Sequence, residues 1–284
     1  MNPLRQGFIR PVLGAALGVA LVGCGSPAVE HPAAPPPKVP WTGNLAEDRV
    51  VWSAEPGIDL LTGAAVAVRA YVESVVVAET GGDIGYAYPG FTRAVPPNAP
   101  EGQPDSARDR RPNTEHPLTD RVVGTGRYHI LRIDSAGRQV TAVVCGWGYG
   151  EALDLGNGTY GSKNTAPATD PAAGLALRWV RMTAPEHSPS PATPPLPPQQ
   201  GPAPAPVDDV FGGWRIDGYL TADPTMKTNL DAAGWPSESA DARSCVDKAP
   251  DPLERRLQLL NGAHPRADFP TLPPYPGWPA AGSR

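Results

Sequence analysis

The clustering of proline restricts the fold of this chain more than any other feature of its sequence. The 284 residues include 38 prolines and 31 glycines, and the prolines concentrate near residues 27–40, 96–117, 185–206 and 265–279. Proline fixes φ and removes a backbone donor, so these segments do not form helix or sheet interiors. The proline-poor stretches between them leave room for one domain with long irregular connections.

A targeting pattern at the N-terminus ends at Cys24. Arg5 and Arg10 precede an uncharged apolar run of about a dozen residues, shorter than the ~20 that span a bilayer. The run ends in LVGC, which resembles a bacterial lipobox, where the cysteine thiol receives a diacylglycerol and becomes the first residue of the mature chain. The resemblance implies a signal peptide at residues 1–23, a palmitate-bearing Cys24 and a location on the extracytoplasmic side of the cell membrane. The alternative is a core helix whose cysteine happens to follow a glycine.

The charge of the chain disfavours nucleic acid as a partner. Loss of Arg5 and Arg10 with the signal peptide removes two positive charges and changes the formal charge from −5 to −7. Nucleic-acid binding requires a basic surface that displaces counterions. Electrostatic binding to anionic lipid likewise requires a cluster of lysines and arginines, and the sequence has no such cluster. Contact with the membrane is therefore expected through the lipid on Cys24.

Cys145 and Cys245 remain as a pair once Cys24 is assigned to lipid. Exported proteins fold under oxidising conditions, so a structural disulfide is expected between them. A redox couple or a metal site is the alternative, but it would require CxxC spacing or neighbouring histidines.

Hydrophobic periodicity predicts one long helix near the start of the folded domain. Apolar residues recur at three- and four-residue intervals at Ile58, Leu61, Ala65, Val68, Val72 and Val76, and Gly81-Gly82 provides a stop. A buried strand over residues 75–78 is the competing interpretation, because valines lower helix propensity.

A strand-rich region follows this helix. Two strands within residues 121–150 are joined by a turn at residues 134–137, and further strands are predicted at residues 174–182 and 211–220. Together they predict a four-strand antiparallel meander. A short helix is predicted after Pro252, with its stop at Gly262.

These elements divide the chain into a signal peptide, a proline-rich tether at residues 24–46, a single α+β domain at residues 47–262, and a tail at residues 263–284. The tail is rich in proline and aromatic residues and is expected to lie along the surface. Within the domain, a disordered proline-rich insertion is expected at about residues 184–209.

The order of these elements resembles the NTF2-like fold. A long helix is followed by an irregular segment and a bent sheet that ends in a Trp-containing strand, FGGWRIDGYL. The resemblance implies a cone in which the N-terminal helix packs on the concave face of a bent antiparallel sheet and leaves a pocket. The segments YAYPGF, AVVCGWG and SADARSCVDKAPDP, with the Ala/Pro/Gly/Arg-rich composition, are similar to those of uncharacterised actinobacterial, mycobacterial-type secreted lipoproteins.

Standard catalytic and cofactor motifs are absent from the sequence, so no catalytic residue, cofactor or metal ligand is assigned. His129 and Asp217 lie within predicted strands and are candidates for the in-cone acid–base chemistry that the NTF2-like resemblance implies. If Tyr128 and Ile130 face the core, the period of two turns His129 toward solvent. The glycines of residues 146–161 are interpreted as a bulged or wide turn rather than a phosphate loop, because no helix follows them.

Five aromatic residues on neighbouring predicted strands can line a mostly apolar ligand pocket: Trp147, Tyr149, Trp179, Trp214 and Tyr219. Core packing is the competing interpretation. The sequence supports three hypotheses: non-catalytic binding of a small apolar ligand or an envelope protein, an isomerase or dehydratase with an in-cone His or Asp, and a structural or docking module.

Substitution of Cys24 tests the predicted anchor. Cys24→Ala is expected to abolish incorporation of a radioactive fatty acid in the native host, because the lipid is attached to that thiol. Ser26→Ala, two residues further on, is the control and should keep the label. Unchanged labelling of Cys24→Ala would remove the lipid anchor.

Overall fold

The computed structural model of the chain describes residues 38–162, 166–167, 169–186, 196–222 and 233–282. Cys24, the predicted signal peptide and most of the predicted tether lie outside the described residues. The end of the tether does not: Trp41 and Leu45 are buried in the core. The folded part of the chain therefore begins before residue 47.

The described part of the chain is an α+β structure built on one large sheet, with few helices. The strands are β1 (Glu47–Ala54), β2 (Val122–Ala136), β3 (Gln139–Trp147), β4 (Glu151–Gly156), β5 (Thr159–Gly161), β6 (Leu175–Thr183), β7 (Arg215–Ala222) and β8 (His264–Pro265). The helices are α1 (Gly63–Gly81), α2 (Phe91–Ala94), α3 (Asp105–Arg108), α4 (Glu238–Asp247) and α5 (Leu253–Leu260).

Strand β2 is the centre of the sheet. Along one side it pairs in parallel with β1, and along the other side it pairs antiparallel first with β3 and then with β4. A single 3-10 turn, Gly148–Gly150, separates β3 from β4. Beyond β3 lie β6 and β7, and beyond β4 lie β5 and β8, all antiparallel.

The sequence predicted much of this arrangement. The β2–β3–β6–β7 meander is confirmed. The long helix is confirmed from Gly63 onward: it continues through residues 75–78 and ends at Gly81, with Gly82 as a left-handed cap (φ 65°), but Ile58 and Leu61 of the predicted apolar stripe precede it. The helix is not the first element, however, because β1 precedes it. Strand β1 was not predicted, since its first three residues are charged and its partner, β2, is distant in the chain.

Helix α1 is buried along most of its length. Its apolar residues pack on one face of the sheet against Tyr128, Ile130, Val144, Val180 and Tyr219. Its other side is covered by Tyr88, Phe91, Phe211 and Trp278, which come from irregular segments, from α2 and from the C-terminal tail. A helix that is apolar on all sides is expected to be enclosed in this way.

The opposite face of the sheet carries a second core. Val143, Cys145, Leu177, Trp179 and Leu220 point away from α1 and pack against residues of α4, α5 and the tail. The predicted disulfide is present there and joins Cys145 in β3 to Cys245 in α4, with Cα atoms 5.5 Å apart. Helical segments therefore cover both faces of the sheet.

Two buried ions of α1 organise the proline-rich segments. The carboxylate of Glu73 accepts hydrogen bonds from Trp52 Nε1 (2.7 Å), Tyr88 Oη (2.6 Å) and Trp278 Nε1 (2.8 Å). One turn earlier, the guanidinium of Arg69 donates to the carbonyl oxygens of Leu60, Gln199 and Gly277 at 2.9, 3.1 and 2.6 Å and lies over the Trp278 ring. Segments far apart in the sequence therefore meet at these two side chains.

This packing corrects two expectations. The C-terminal part of the insertion, residues 196–209, is ordered against the tail: Ala203 exchanges backbone hydrogen bonds with Trp278 at 3.1 and 2.9 Å, and Gln199 is buried. Residues 187–195 of the insertion lie outside the described residues. The tail does not simply follow the surface, because Phe269 and Trp278 are buried in the core. Backbone carbonyls of Gln199 and Gly277, in these proline-rich segments, accept hydrogen bonds from the two Nη atoms of Arg69, which gives those segments a fixed place.

Removal of the Trp278 side chain should test this arrangement. Trp278→Ala is expected to lower the free energy of unfolding by about 3–5 kcal/mol, since it leaves a cavity and withdraws a donor from Glu73. The control is Tyr275→Ala in the same tail, where the side chain is 63% exposed. Urea unfolding followed by tryptophan fluorescence measures both variants. Equal, small losses would show that the tail is not part of the core.

The disulfide provides a second test of the fold. Reduction is expected to lower the free energy of unfolding by up to ~4.7 kcal/mol, because a bond closing a loop of this length restricts the unfolded chain. Thermal denaturation with and without reductant, together with thiol titration, measures the effect. Two free thiols in the unreduced protein would contradict the pairing.

Candidate functional site

Two carboxyl groups meet on the α1 side of β2. Asp48 in β1 and Glu151, the first residue of β4, are both direct neighbours of Gly124 in β2, one from each side. Adjacent strand residues point to the same face of a sheet, so the two side chains lean toward each other over Gly124. Their carboxyl groups lie within hydrogen-bonding reach.

Glycines in the sheet provide the space for this pair. Gly124 has a φ of +118°, and a Cβ there would collide with the Gly150 carbonyl oxygen. A Cβ on Gly126 would lie 2.8 Å from Glu151 Oε1. Any larger residue at position 126 would therefore displace the Glu151 carboxyl.

Arg178 of β6 approaches the pair from the far side of β3. Its guanidinium carbon lies 4.9 Å from the centre of the Tyr128 ring, and the Tyr219 hydroxyl is within hydrogen-bonding reach. Gly146, which separates Tyr128 from β6 in the sheet, leaves room for Nη1, since a Cβ there would collide with that atom. Nη1 is buried and meets no hydrogen-bond acceptor among the described residues. Asp48, Glu151, Arg178 and Tyr128 are called the carboxyl–arginine site.

Two cavities adjoin Glu151. One, of about 160 Å³, lies at the break between β3 and β4 and is lined by Glu151, Arg178, Tyr128 and Trp147 together with backbone of Gly174. The other, of about 410 Å³, is lined by both carboxyl groups and by apolar residues of α1 and β4. Glu151 therefore faces both spaces.

Burial keeps protons on the carboxyl pair. It raises the pKa of Glu151 to about 7, against the attraction of the Arg178 charge and the hydrogen bond from Asp48. Burial, and then the neighbouring Glu151 charge, raise the pKa of Asp48 well above its ordinary value. Asp48 is 1% exposed, and its Oδ1 meets no hydrogen-bond donor in the part of the chain that the structure describes. Burial therefore favours the protonated form of both carboxyl groups, and Glu151 exchanges its proton near neutral pH.

The five predicted pocket aromatics do not line a common cavity. Trp147, Tyr149 and Trp179 belong to the core on the disulfide side, whereas Trp214 and Tyr219 pack on the α1 side. Trp147 lines the cavity of about 160 Å³, and Tyr219 lines a separate cavity of about 550 Å³ near Asp109 and Glu115. The prediction of one aromatic pocket is wrong because the alternation along the strands sends these side chains to both faces.

His129 and Asp217 have different surroundings from those expected. Tyr128 and Ile130 do face α1, but His129 is only 9% exposed, because the other face of the sheet is also covered. Its ring contacts Ser53 and Glu55 rather than solvent. Asp217 accepts a hydrogen bond from the Thr183 hydroxyl and pairs with Arg215 at 3.0 Å on the outer strand β7, remote from any histidine partner. Neither residue joins the carboxyl–arginine site.

The sequence contained one signal for this site. Glycine within a strand often marks a place where another group approaches closely, and Gly124, Gly126 and Gly146 do so here. The interpretation of residues 146–161 as a bulged or wide turn is correct for Gly148–Gly150. It is wrong for Gly146, which lies in β3, and for residues 151–156 and 159–161, which form β4 and β5.

Comparison with protein-family models, with curated proteins and with solved structures gives no match to the chain. Within the described ranges, no helix combines the length and apolar character that crossing a membrane requires. No cluster of three or more His, Cys, Asp or Glu side chains suited to a metal ion occurs there either. The assignment of function therefore rests on the geometry of the site.

Proposed function

We propose that the chain is a lipid-anchored envelope protein whose folded domain binds a small oxyanion-bearing molecule at the carboxyl–arginine site. The observation that carries this proposal is the buried Nη1 of Arg178, which has no acceptor among the described residues and lines a cavity opposite Glu151. A buried guanidinium donor without a partner is costly, and a bound anion would supply the missing acceptor.

The protonation of the carboxyl pair determines the sign of the charge in the cavity. With Asp48 and Glu151 protonated, the positive charge of Arg178 is unopposed within the site. When Glu151 ionises near pH 7, its negative charge opposes an incoming anion. The proposed ligand is therefore bound most tightly below neutral pH.

The cavity restricts the size and polarity of the ligand. A volume of about 160 Å³ corresponds to roughly five water molecules, which suits a ligand of roughly five to eight non-hydrogen atoms. The walls carry carboxyl, guanidinium and phenol groups. They therefore favour a small carboxylate over the apolar ligand expected from the aromatic residues.

A proton-transfer enzyme is the second candidate, and the pKa of Glu151 favours it. A group with a pKa of about 7 can both accept and donate a proton at neutral pH, which is the property of a general acid–base catalyst. Arg178 would hold the carboxylate of the substrate while Glu151 moves a proton at the adjacent carbon. In this isomerase or dehydratase, Glu151 is the acid–base residue, a role for which His129 and Asp217 were the candidates from the sequence.

The NTF2-like cone and the kinship with actinobacterial secreted lipoproteins are part of the same proposal. Two features support it: β2 has a bulge after Ile130, and Asp48 and Glu151 line a cavity that α1 also lines, on the face where the cone would have its pocket. The parallel strand β1 and the helices on the opposite face are additions to that fold. A docking role toward an envelope protein is the remaining alternative, and the lipid on Cys24 would place any of these activities at the membrane.

Ligand titration of the full acylated chain in detergent tests the proposal. Acetate, lactate and pyruvate are titrated at pH 6 and pH 8 by calorimetry, with neutral acetamide as the matched control ligand. We expect the carboxylates to bind about tenfold more tightly at pH 6, because the fraction of protonated Glu151 falls from about 0.91 at pH 6 to about 0.09 at pH 8 for a pKa near 7.

Three variants decide the outcome of this titration. Glu151→Gln should bind equally at both pH values, Arg178→Gln should lose binding, and the exposed Glu254→Gln should behave as the parent chain. Tighter binding at pH 8, or undiminished binding by Arg178→Gln, would overturn the assignment. Incubation with pyruvate in D₂O separates the two candidates: loss of the methyl proton signal that requires Glu151 indicates the enzyme, and binding without exchange indicates the binding protein.

A further inference from the structure

Ser53, His129 and Glu55 form a hydrogen-bonded array on the sheet face opposite the carboxyl–arginine site. Ser53 Oγ lies 2.9 Å from Nδ1 of His129, and Nε2 of the same ring lies 2.9 Å from Oε1 of Glu55. Ser53 is directly paired with His129 across the β1–β2 ladder, and Glu55 follows the end of β1. These three residues are called the serine–histidine–glutamate array.

Glu55 fixes the tautomer of His129. An ionised carboxylate only accepts hydrogen bonds, so the ring nitrogen that faces it must carry a proton. In the neutral imidazole the proton is then on Nε2, and Nδ1 has a free lone pair. Nδ1 can therefore accept the Ser53 hydroxyl proton. The other acceptor near that hydroxyl, the Tyr128 carbonyl oxygen, is farther away at 3.4 Å.

The surroundings hold the imidazole and the carboxylate in place. The His129 ring lies 5.8 Å from the Trp147 ring, centre to centre, and is largely buried. Lys248 lies 2.6 Å from the same Oε1 of Glu55. Hydrogen bonds from Lys248 and then from His129 lower the pKa of Glu55, which keeps it ionised at neutral pH. Ser53 itself is exposed, so an outside reactant can reach its hydroxyl.

We propose that this array is an active site separate from the carboxyl–arginine site, in which Ser53 is the nucleophile for acyl transfer from small carboxylic esters. The roles are those of a serine–histidine–acid triad: nucleophile, base, and an acid that orients the base and stabilises its protonated form. The array uses Nδ1 toward serine and Nε2 toward the acid, the reverse of the usual assignment. Chemistry is unaffected, because in both cases the nitrogen facing serine has the free lone pair.

The reaction balances with water as the only co-reactant. Ser53 Oγ bonds to the acyl carbon while its proton passes to Nδ1 of His129, and the ester C–O bond breaks as the alcohol leaves with that proton. Water then attacks the acyl-serine, gives a proton to Nδ1, and the carboxylic acid departs as Ser53 recovers its proton from His129. Glu55 stabilises the imidazolium in both halves.

Labelling with a fluorophosphonate–biotin probe tests this inference on the full chain. The serine oxygen displaces fluoride from phosphorus, and the phosphonyl group stays on the reactive serine, where tandem mass spectrometry locates it. We expect a single label on Ser53, none on Ser53→Ala, and unchanged labelling of Ser135→Ala. The control residue, Ser135, is an exposed serine in the β2–β3 hairpin.

Variants of His129 and Glu55 show whether Ser53 reacts because the array activates it or only because its hydroxyl is accessible to the probe. His129→Gln should slow labelling on the order of a hundredfold, since it removes the base, and Glu55→Gln should slow it in the same direction. The melting temperature of each variant shows whether it is folded. If His129→Gln is unfolded, the labelling rate of Glu55→Gln tests the proposal instead, because Glu55 is less buried and its substitution is expected to leave the fold intact. Absence of label, label on Ser135, or labelling of a folded Glu55→Gln variant at the parent rate would overturn the proposal. The test does not depend on the anion site, because the label reports the reactivity of the Ser53 hydroxyl and not the binding of a carboxylate.

Discussion

The packing of α1 depends on the burial of Arg69 and Glu73. Two ions withdrawn from water are costly unless their hydrogen-bonding capacity is filled by neighbours. Glu73 obtains two indole donors and one phenol donor, and Arg69 obtains three backbone carbonyls. Those partners come from β1, from the segment after α1, from the proline-rich insertion and from the tail. Segments with no regular secondary structure therefore gain fixed positions, because their carbonyl groups accept hydrogen bonds from Arg69 and their tryptophan donates to Glu73.

Two buried carboxyl groups on the α1 side of the sheet, those of Glu73 and Asp48, differ in how far their hydrogen-bonding capacity is used. Glu73 accepts three hydrogen bonds and has Arg69 one turn away, so its environment supports a structural role. Asp48 is equally buried, but its Oδ1 meets no donor among the described residues, and Nη1 of Arg178 meets no acceptor there. Each unsatisfied group costs about 1–3 kcal/mol. Other buried atoms, among them Nε of Arg69 and Nε of Arg256, also lack a partner among the described residues. Nη1 of Arg178 differs from them because its side chain lines a cavity, where a bound anion would supply the missing acceptor, and this is the physical basis of the proposed anion site.

The elements that the sequence predicted are those specified by local patterns. Alternation predicted the β2–β3–β6–β7 meander, the period of α1 predicted the helix, and the pair of cysteines that remained after Cys24 predicted the disulfide. What was missed depends on contacts between distant residues. Asp48 looks like a surface residue in a charged tripeptide, and Glu151 like the end of a glycine-rich turn; only parallel pairing of β1 with β2 places them on either side of Gly124. Trp278 was missed for the same reason, since nothing in a proline-rich tail indicates an ion buried in α1.

The two proposed sites lie on opposite faces of the sheet because successive side chains of β2 point to opposite faces. Gly124, Gly126 and Tyr128 face α1, where they accommodate Glu151 and Arg178, while the intervening residues and His129 face α4 and the disulfide. Trp147 is the side chain that touches both, because it lines the cavity beside Glu151 and packs against the His129 ring. A change at Glu151 or at Ser53 acts on one face alone, whereas a change at Trp147 alters the wall of the cavity and the support of the imidazole together. Any coupling between ligand binding beside Glu151 and the position of the His129 imidazole therefore passes through the Trp147 indole. The size of that coupling depends on how far the indole moves when a ligand fills the cavity.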